Sequence, residues 1–153
     1  MPECTVNSPI GPLALIEQDG AIIELDWRRA RQEESSSLLS SARDELENYF
    51  AGALKTFSIP LNPKGTPFQK RVWQQMVEIP YGEALTYGEV ARNLSLSPRA
   101  VGTACGRNPV PIIIPCHRIV GPGGKLTGYT GAGGIRTKSF LLELETNQPQ
   151  LDL

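Results

Sequence analysis

One cysteine and the chain's single histidine are neighbours, Cys116 and His117, inside the run Ile112-Ile113-Ile114-Pro115-Cys116-His117-Arg118-Ile119-Val120. A thiol attacks carbon only as thiolate, and an unperturbed cysteine is mostly protonated at neutral pH. An imidazole, acting directly or through one water, can take that proton. These residue types therefore point to nucleophilic chemistry at Cys116. A buried cysteine alone is ordinarily an apolar filler, and a lone histidine ordinarily a satisfied structural residue. Their pairing shifts the balance, as does Pro115 just before them. Proline withdraws the N–H that a central strand needs, so a buried strand read over 112–120 must end or bend where the two side chains are presented.

The elements that must hold this pair divide into two halves. With 153 residues the chain can form one ordinary domain or two small ones, and 40% hydrophobic residues supply a core. Net charge is −1, but residues 1–63 carry −5 and residues 64–153 carry +4. The basic half is the one suited to a polyanion. Three cysteines without framework spacing (4, 105 and 116) predict free thiols in a reducing compartment. No CxxC or HxxxH pattern occurs, so no metal is expected. No run approaches the roughly 20 apolar residues of a membrane span. The N-terminus lacks the basic and apolar regions of a secretory leader, so a cytoplasmic location is expected, or a nuclear one in a eukaryote.

Residues 1–63 read as a small α/β supporting domain. Two or three strands occupy 4–27, with a turn at Pro9–Pro12 and a hairpin signal at Asp19-Gly20. Arg28 to Ser41 is polar and serine-rich and reads as a loop. A helix follows over 42–50, with Ala42, Leu46, Tyr49 and Phe50 on one face, closed by Gly52. Pro60–Gly65 reads as a linker. Residues 64–153 read as mainly helical. Thr66-Pro67-Phe68-Gln69 and Thr86-Tyr87-Gly88-Glu89 are capping boxes opening two helices, and Ser97-Pro98 opens a third that runs to about Arg107. The second and third, joined across Ser95-Leu96-Ser97, make a helix-turn-helix candidate. The third helix is rich in small residues and carries one early arginine, Arg99. It suits close, sequence-indifferent groove contact, or tight packing inside the domain. The Gly-rich segment 121–134 matches no nucleotide-binding pattern and reads as a pocket wall. A closing helix over 135–145 places Ile135, Phe140, Leu141 and Leu144 inward, followed by a polar tail.

Three motifs then stand in order: Arg99-Ala100-Val101-Gly102, Arg107-Asn108-Pro109, and Ile114-Pro115-Cys116-His117-Arg118. With Asn108-Pro109-Val110-Pro111 they resemble the active-site signature of the O6-alkylguanine-DNA alkyltransferases, strongly over 66–145 and in general plan over 1–63. The resemblance implies an α/β N-terminal domain, a small antiparallel sheet with a helix, and a C-terminal domain with a winged helix-turn-helix. It implies binding to double-stranded DNA through the minor groove and rotation of an alkylated guanine out of the stack. It gives Cys116, His117, Glu145, Tyr87 and Asn108 as the reacting set, with Glu145 orienting His117 if the loop after Tyr129 is two residues long for the family, and Glu143 otherwise. The DNA-contacting residues it implies are Arg99, which fills the gap in the stack, with Ala100, Gly102, Tyr87 and Gln69. Tyr129, Thr130, Ile119 and Leu126 would line the substrate pocket, and Cys105 would be filler. Some relatives hold zinc in the N-terminal domain, but Cys4 stands there without a histidine. No cofactor, no membrane and a monomer are expected.

The reaction so implied moves an alkyl group from guanine O6, or from O4 of thymine, to Cys116. Its thioether product has no carbonyl for water to attack, so one chain repairs one lesion. Two other readings use the same residues. An alkyltransferase-like damage sensor would bind without transfer, but typically carries tryptophan where this chain has Cys116. A Cys–His hydrolase would need special geometry, because adjacent strand residues face opposite ways.

Overall fold

The computed structural model describes residues 1–129 and 133–146. The chain forms two compact units, Met1–Lys64 and Gly65–Leu153. Among the described residues no helix is long and apolar enough to cross a membrane.

In the first unit, β1 (Glu3–Ser8), β2 (Gly11–Gln18) and β3 (Ala21–Asp26) form an antiparallel sheet in that order. The register pairs Cys4 with Leu15 and Val6 with Leu13. Leu13 to Ile16 are all buried, so β2 is covered on both faces. Helix α1 (Ser37–Phe50) packs on β1 and β2 through Leu39, Ala42, Leu46 and Tyr49. It starts five residues before the expected position. Ser36 caps it, accepting from Leu39 N–H at 3.0 Å. The serines around it favour turns by local hydrogen bonding, and burial of Leu39 overrides that preference.

The preceding polar loop is pinned to β1. Arg31 N–H donates to Glu3 Oε1 at 2.8 Å, and Ala30 N–H donates to Thr5 Oγ1 at 2.8 Å. The expected linker at Pro60 is partly sheet edge. Ile22 N–H donates to Pro60 O and Asn62 N–H donates to Ile22 O, each at 2.9 Å, so Leu61 bridges β3 in parallel. The outer backbone groups of β3 need partners, and this segment provides them.

The second unit is built from α2 (Pro67–Val77), β4 (Leu85–Thr86), α3 (Tyr87–Leu94), α4 (Pro98–Gly106), β5 (Ile119–Val120) and α5 (Ile135–Thr146). Both capping boxes form. Ser95 ends α3 in the left-handed region at φ 59°, and Ser97 caps α4. The α3–turn–α4 pair is therefore a helix-turn-helix, beside the short parallel ladder β4–β5. Trp73 joins α2 to α4, its Nε1–H donating to Ala104 O at 2.9 Å.

The expected strand over 112–120 is only Ile119–Val120. Cys116–Arg118 instead make one 3-10 turn. Pro111 and Pro115 withdraw two donors, and Ile112 takes a positive φ of 77°. The aliphatic run is buried as irregular backbone, satisfied by its own turns and by a side chain. Ile114 N–H donates to Val110 O at 2.9 Å and Cys116 N–H to Ile114 O at 2.8 Å. Asn108 Nδ2–H donates to Ile114 O at 2.8 Å and its Oδ1 accepts from Val110 N–H at 2.9 Å.

Helix α5 also turns a different face inward. Thr137, Lys138, Leu141 and Glu145 are buried, Phe140 and Leu144 are half-buried, and Ile135 is 50% exposed. The inner stripe carries two charges because it serves the site rather than an apolar core.

Thr86 begins α3 by accepting from Glu89 N–H at 3.0 Å, so its cap sets where Tyr87 starts the helix. Thr86→Ala is expected to lower stability by about 1 kcal/mol, measured by chemical denaturation. An unchanged unfolding midpoint would refute the assignment.

Candidate active site

A cavity of about 380 Å³ opens between α3, α4, the 3-10 turn and the loop before α5. Tyr87, Gly102, Cys105, Gly106, Cys116, Gly128 and Tyr129 line it. Small residues on α4 leave its wall open, and Cys105, expected as filler, is part of that wall. Cys116, at the start of the 3-10 turn, is buried. Burial pushes its thiol up, while a hydrogen bond from Asn108 and the charge of Lys138 pull it down. Asn108 thus both fixes the irregular backbone and donates to the sulfur.

His117 is fully buried and its Nε2 lies 2.7 Å from Glu145 Oε2. Arg118 grips the same carboxylate, with Nε–H donating to Oε1 at 2.8 Å and an Nη2–H donating to Oε2 at 3.0 Å. Its Nη1–H donates to Ile79 O at 2.7 Å. A carboxylate that accepts from a guanidinium at both oxygens is ionised and can only accept from the imidazole. The proton of neutral His117 therefore sits on Nε2. Burial, the largest influence, holds the imidazole pKa below its ordinary value, against the opposing pull of Glu145. Nδ1 is left as a lone pair, buried and bonded to no protein atom. The site thus contains a protonated thiol, an oriented neutral base and a cavity for the electrophile.

Helix α5 brings Glu145, from its inner face, to His117. Glu143 is exposed. Tyr87 lies at the first turn of α3, where burial pushes its phenol up and keeps it a donor. Its hydroxyl accepts a long hydrogen bond of 3.5 Å from Thr127 Oγ1. Arg99 is exposed and Ala100 half-buried at the start of α4, outside the cavity. Gly102, one turn on, faces the Tyr87 ring, with room for a Cβ at 3.9 Å. Gln69 is not at the cavity; its Oε1 accepts from Thr66 N–H at 3.0 Å.

Two expected pocket residues are misplaced. Ile119 is fully buried in β5 opposite Leu85, and Leu126 is half-buried on the loop. Neither lines the cavity, because the strand at Ile119 sends it into the aliphatic core. Tyr129 does line it, and Thr130 lies outside the described residues.

Lys138 was not foreseen. It is 1% exposed, its Nζ donating to Thr127 O at 3.2 Å and lying 5.7 Å from the centre of the Tyr87 ring. A sequence signal existed. Lys138 stands seven residues, two helical turns, before Glu145, so the two share a face.

Comparison with known proteins gives one family over both units. Residues 67–147 match the family model described as the DNA-binding domain of 6-O-methylguanine DNA methyltransferase, and residues 3–63 match its ribonuclease-like domain. A methylated-DNA–protein-cysteine methyltransferase of Methanosarcina acetivorans is 45% identical, covering 91% of this chain and 94% of its own length. The protein of that name from Mycobacterium bovis is 44% identical, covering 97% and 94%. The crystal structure of Mycobacterium tuberculosis O6-methylguanine methyltransferase superposes with a TM-score of 0.84 at 43% identity, covering 99% and 96%. The same organism's OGT in complex with DNA gives 0.86 at 44%, covering 97% and 94%.

The native imidazole stays neutral below the ordinary value of 6.5, whereas in the unfolded chain it protonates there. The unfolded state then binds more protons, so the stability His117 contributes is complete above that value and is lost as pH falls below it. From about pH 7 to about pH 5, stability is expected to fall more steeply in the native protein than in His117→Asn. Thermal melts across that window check this, and parallel curves would refute it.

Proposed function

The chain belongs to the 6-O-methylguanine DNA methyltransferase family, and from that premise we propose that Cys116 is the atom that accepts the alkyl group. The protein is a methylated-DNA–protein-cysteine methyltransferase that repairs DNA by direct reversal. The non-catalytic sensor reading is set aside, since its relatives are named for transfer and the thiol is present. The substrate proposed is O6-alkylguanine in double-stranded DNA, with the lesion turned into the cavity because O6 cannot be reached in the stack.

One observation carries the assignment of roles. His117 donates its Nε2–H to Glu145, so its Nδ1 keeps a lone pair bonded to no protein atom, on the residue next to the buried Cys116. The two side chains make no direct hydrogen bond, and consecutive residues of a 3-10 turn diverge by about 120°. A water between Sγ and Nδ1 is therefore the proposed carrier of the proton. The sulfur forms a bond to the alkyl carbon as the carbon–O6 bond breaks. Guanine leaves with the electron pair and is reprotonated, and a thioether remains. Glu145 balances the imidazolium that forms in passing. Asn108 steadies the sulfur by its hydrogen bond, and Tyr87, protonated and at the cavity wall, donates to the base.

Docking is assigned to α4. Arg99, Thr103 and Gly106 are exposed on it, with Arg107 just past its end, and a small-residue helix admits a close approach. Arg99 would occupy the gap left by the rotated nucleotide, with Ala100 and Gly102 against the groove and Gln69 at its margin. Tyr129 forms the cavity wall beside the base. The protein is proposed to act as a monomer in the cytoplasm, or in the nucleus of a eukaryote.

Mixed with one equivalent of O6-benzylguanine, the protein is expected to gain one benzyl group on Cys116 and release one guanine, seen by intact mass and peptide mapping. Cys116→Ser should abolish transfer with DNA affinity nearly kept; retained transfer, or many turnovers per chain, would end the assignment. Arg99→Ala should slow repair of duplex DNA at least tenfold while reaction with the free base changes less than twofold. Equal losses would exclude a gap-filling role.

A further inference from the structure

The steps above make no use of Lys138, the most deeply buried cation of the second unit. Burying an ammonium is costly unless an anion or hydrogen bonds compensate it. Among the described residues no carboxylate pairs with Lys138. Its polar partner is the Thr127 carbonyl, and the Tyr87 ring face gives a cation–π contact. What it faces is the cavity lining. The groups around it are the Cys116 thiol and His117 on the 3-10 turn, the Cys105 thiol on α4 and the Tyr87 phenol on α3. Arg118 and Glu145 stand behind His117. A cation placed without a permanent anion suits a site where an anion appears only during reaction, and here that anion is the thiolate.

We propose that Lys138 is a positioning residue for alkyl transfer: its buried ammonium holds a fixed positive charge toward the sulfur that becomes anionic, and ties Thr127 and the Tyr87 ring to the cavity wall. This inference rests on Cys116 being the acceptor. The ammonium lowers the thiol pKa, and an ionised Cys116 or Cys105 in turn holds the ammonium up against its own burial. Its repulsion of a protonated His117 is weaker than the influences of Glu145 and Arg118, and at Cys116 its charge acts against the burial that pushes the thiol up. Cys105 competes little for this charge, since burial pushes its thiol well above the ordinary range.

Three variants separate charge from tethering. Lys138→Arg keeps the charge and a donor, Lys138→Gln keeps a donor to Thr127 without the charge, and Lys138→Met removes both. Single-turnover rates with O6-benzylguanine are measured against pH on the full chain, with folding checked by circular dichroism. For Lys138→Gln the midpoint of the rising limb is expected to move up by about one pH unit, an approximately tenfold slower reaction near pH 7 that recovers at high pH. Lys138→Arg should keep the native midpoint, and Lys138→Met should add a loss that high pH does not recover. If Lys138→Met fails to fold, the Gln and Arg pair decides alone. A Gln variant slowed equally at all pH values, or sharing its midpoint with Arg, would overturn the proposal. Cys116→Ser is run beside them: benzyl transfer by that variant would sink the acceptor assignment itself, whatever the Lys138 variants do.

Discussion

Glu145 takes hydrogen bonds from His117 and from Arg118, two consecutive residues of one 3-10 turn, on a carboxylate that is itself almost wholly buried. Such an arrangement is stable only while it is complete. Removing one partner strands a charge in the interior, which typically costs about 3–5 kcal/mol. The geometry of the turn, the direction of α5 and the tautomer of His117 thus depend on one another. Arg118 ensures that Glu145 accepts, Glu145 ensures that His117 carries its proton on Nε2, and Nδ1 is thereby left as a base. An imidazole with the opposite tautomer would carry its proton on Nδ1 and turn a lone pair toward the ionised Glu145.

Around that anchor the second unit solves an unusual packing problem. The segment before Cys116 is aliphatic enough for a central strand, yet two prolines forbid a full ladder. Asn108 stands in for the missing neighbour by accepting from Val110 N–H and donating to Ile114 O. The same side chain hydrogen-bonds to the sulfur. Backbone satisfaction and chemistry are thus coupled in one residue, as buried polar groups must be paired in any case. On the other side, Gly102, Cys105 and Gly106 leave space that larger side chains on α4 would fill, which makes that helix a cavity wall.

Local chemistry made much of this readable. Thr66–Gln69, Thr86–Glu89 and Ser97-Pro98 start their helices where their side chains say, because a cap is an interaction within three residues. Asp19-Gly20 closes its hairpin for the same reason. The misreadings arise where distant residues decide. Helix α1 begins within a serine cluster because Leu39 finds a sheet to cover. Leu61 joins a strand edge distant in sequence. Ile119 is withdrawn into the core by its pairing with Leu85. Ile135 is exposed and Lys138 buried because α5 faces a polar site, so apolar periodicity selects the wrong stripe.

The order and spacing of residue types determined by themselves that a thiol and the only imidazole stand together, that helices begin at their caps, and that a basic half carries both. Only the tertiary structure decided which glutamate meets His117, which imidazole nitrogen keeps its proton, and that an ammonium lies behind the cavity wall. The reason is physical. Caps and turns are closed by neighbours along the chain, whereas the tautomer and the field at Cys116 are set by Asn108, Lys138 and Glu145, residues that come together only when the unit is packed.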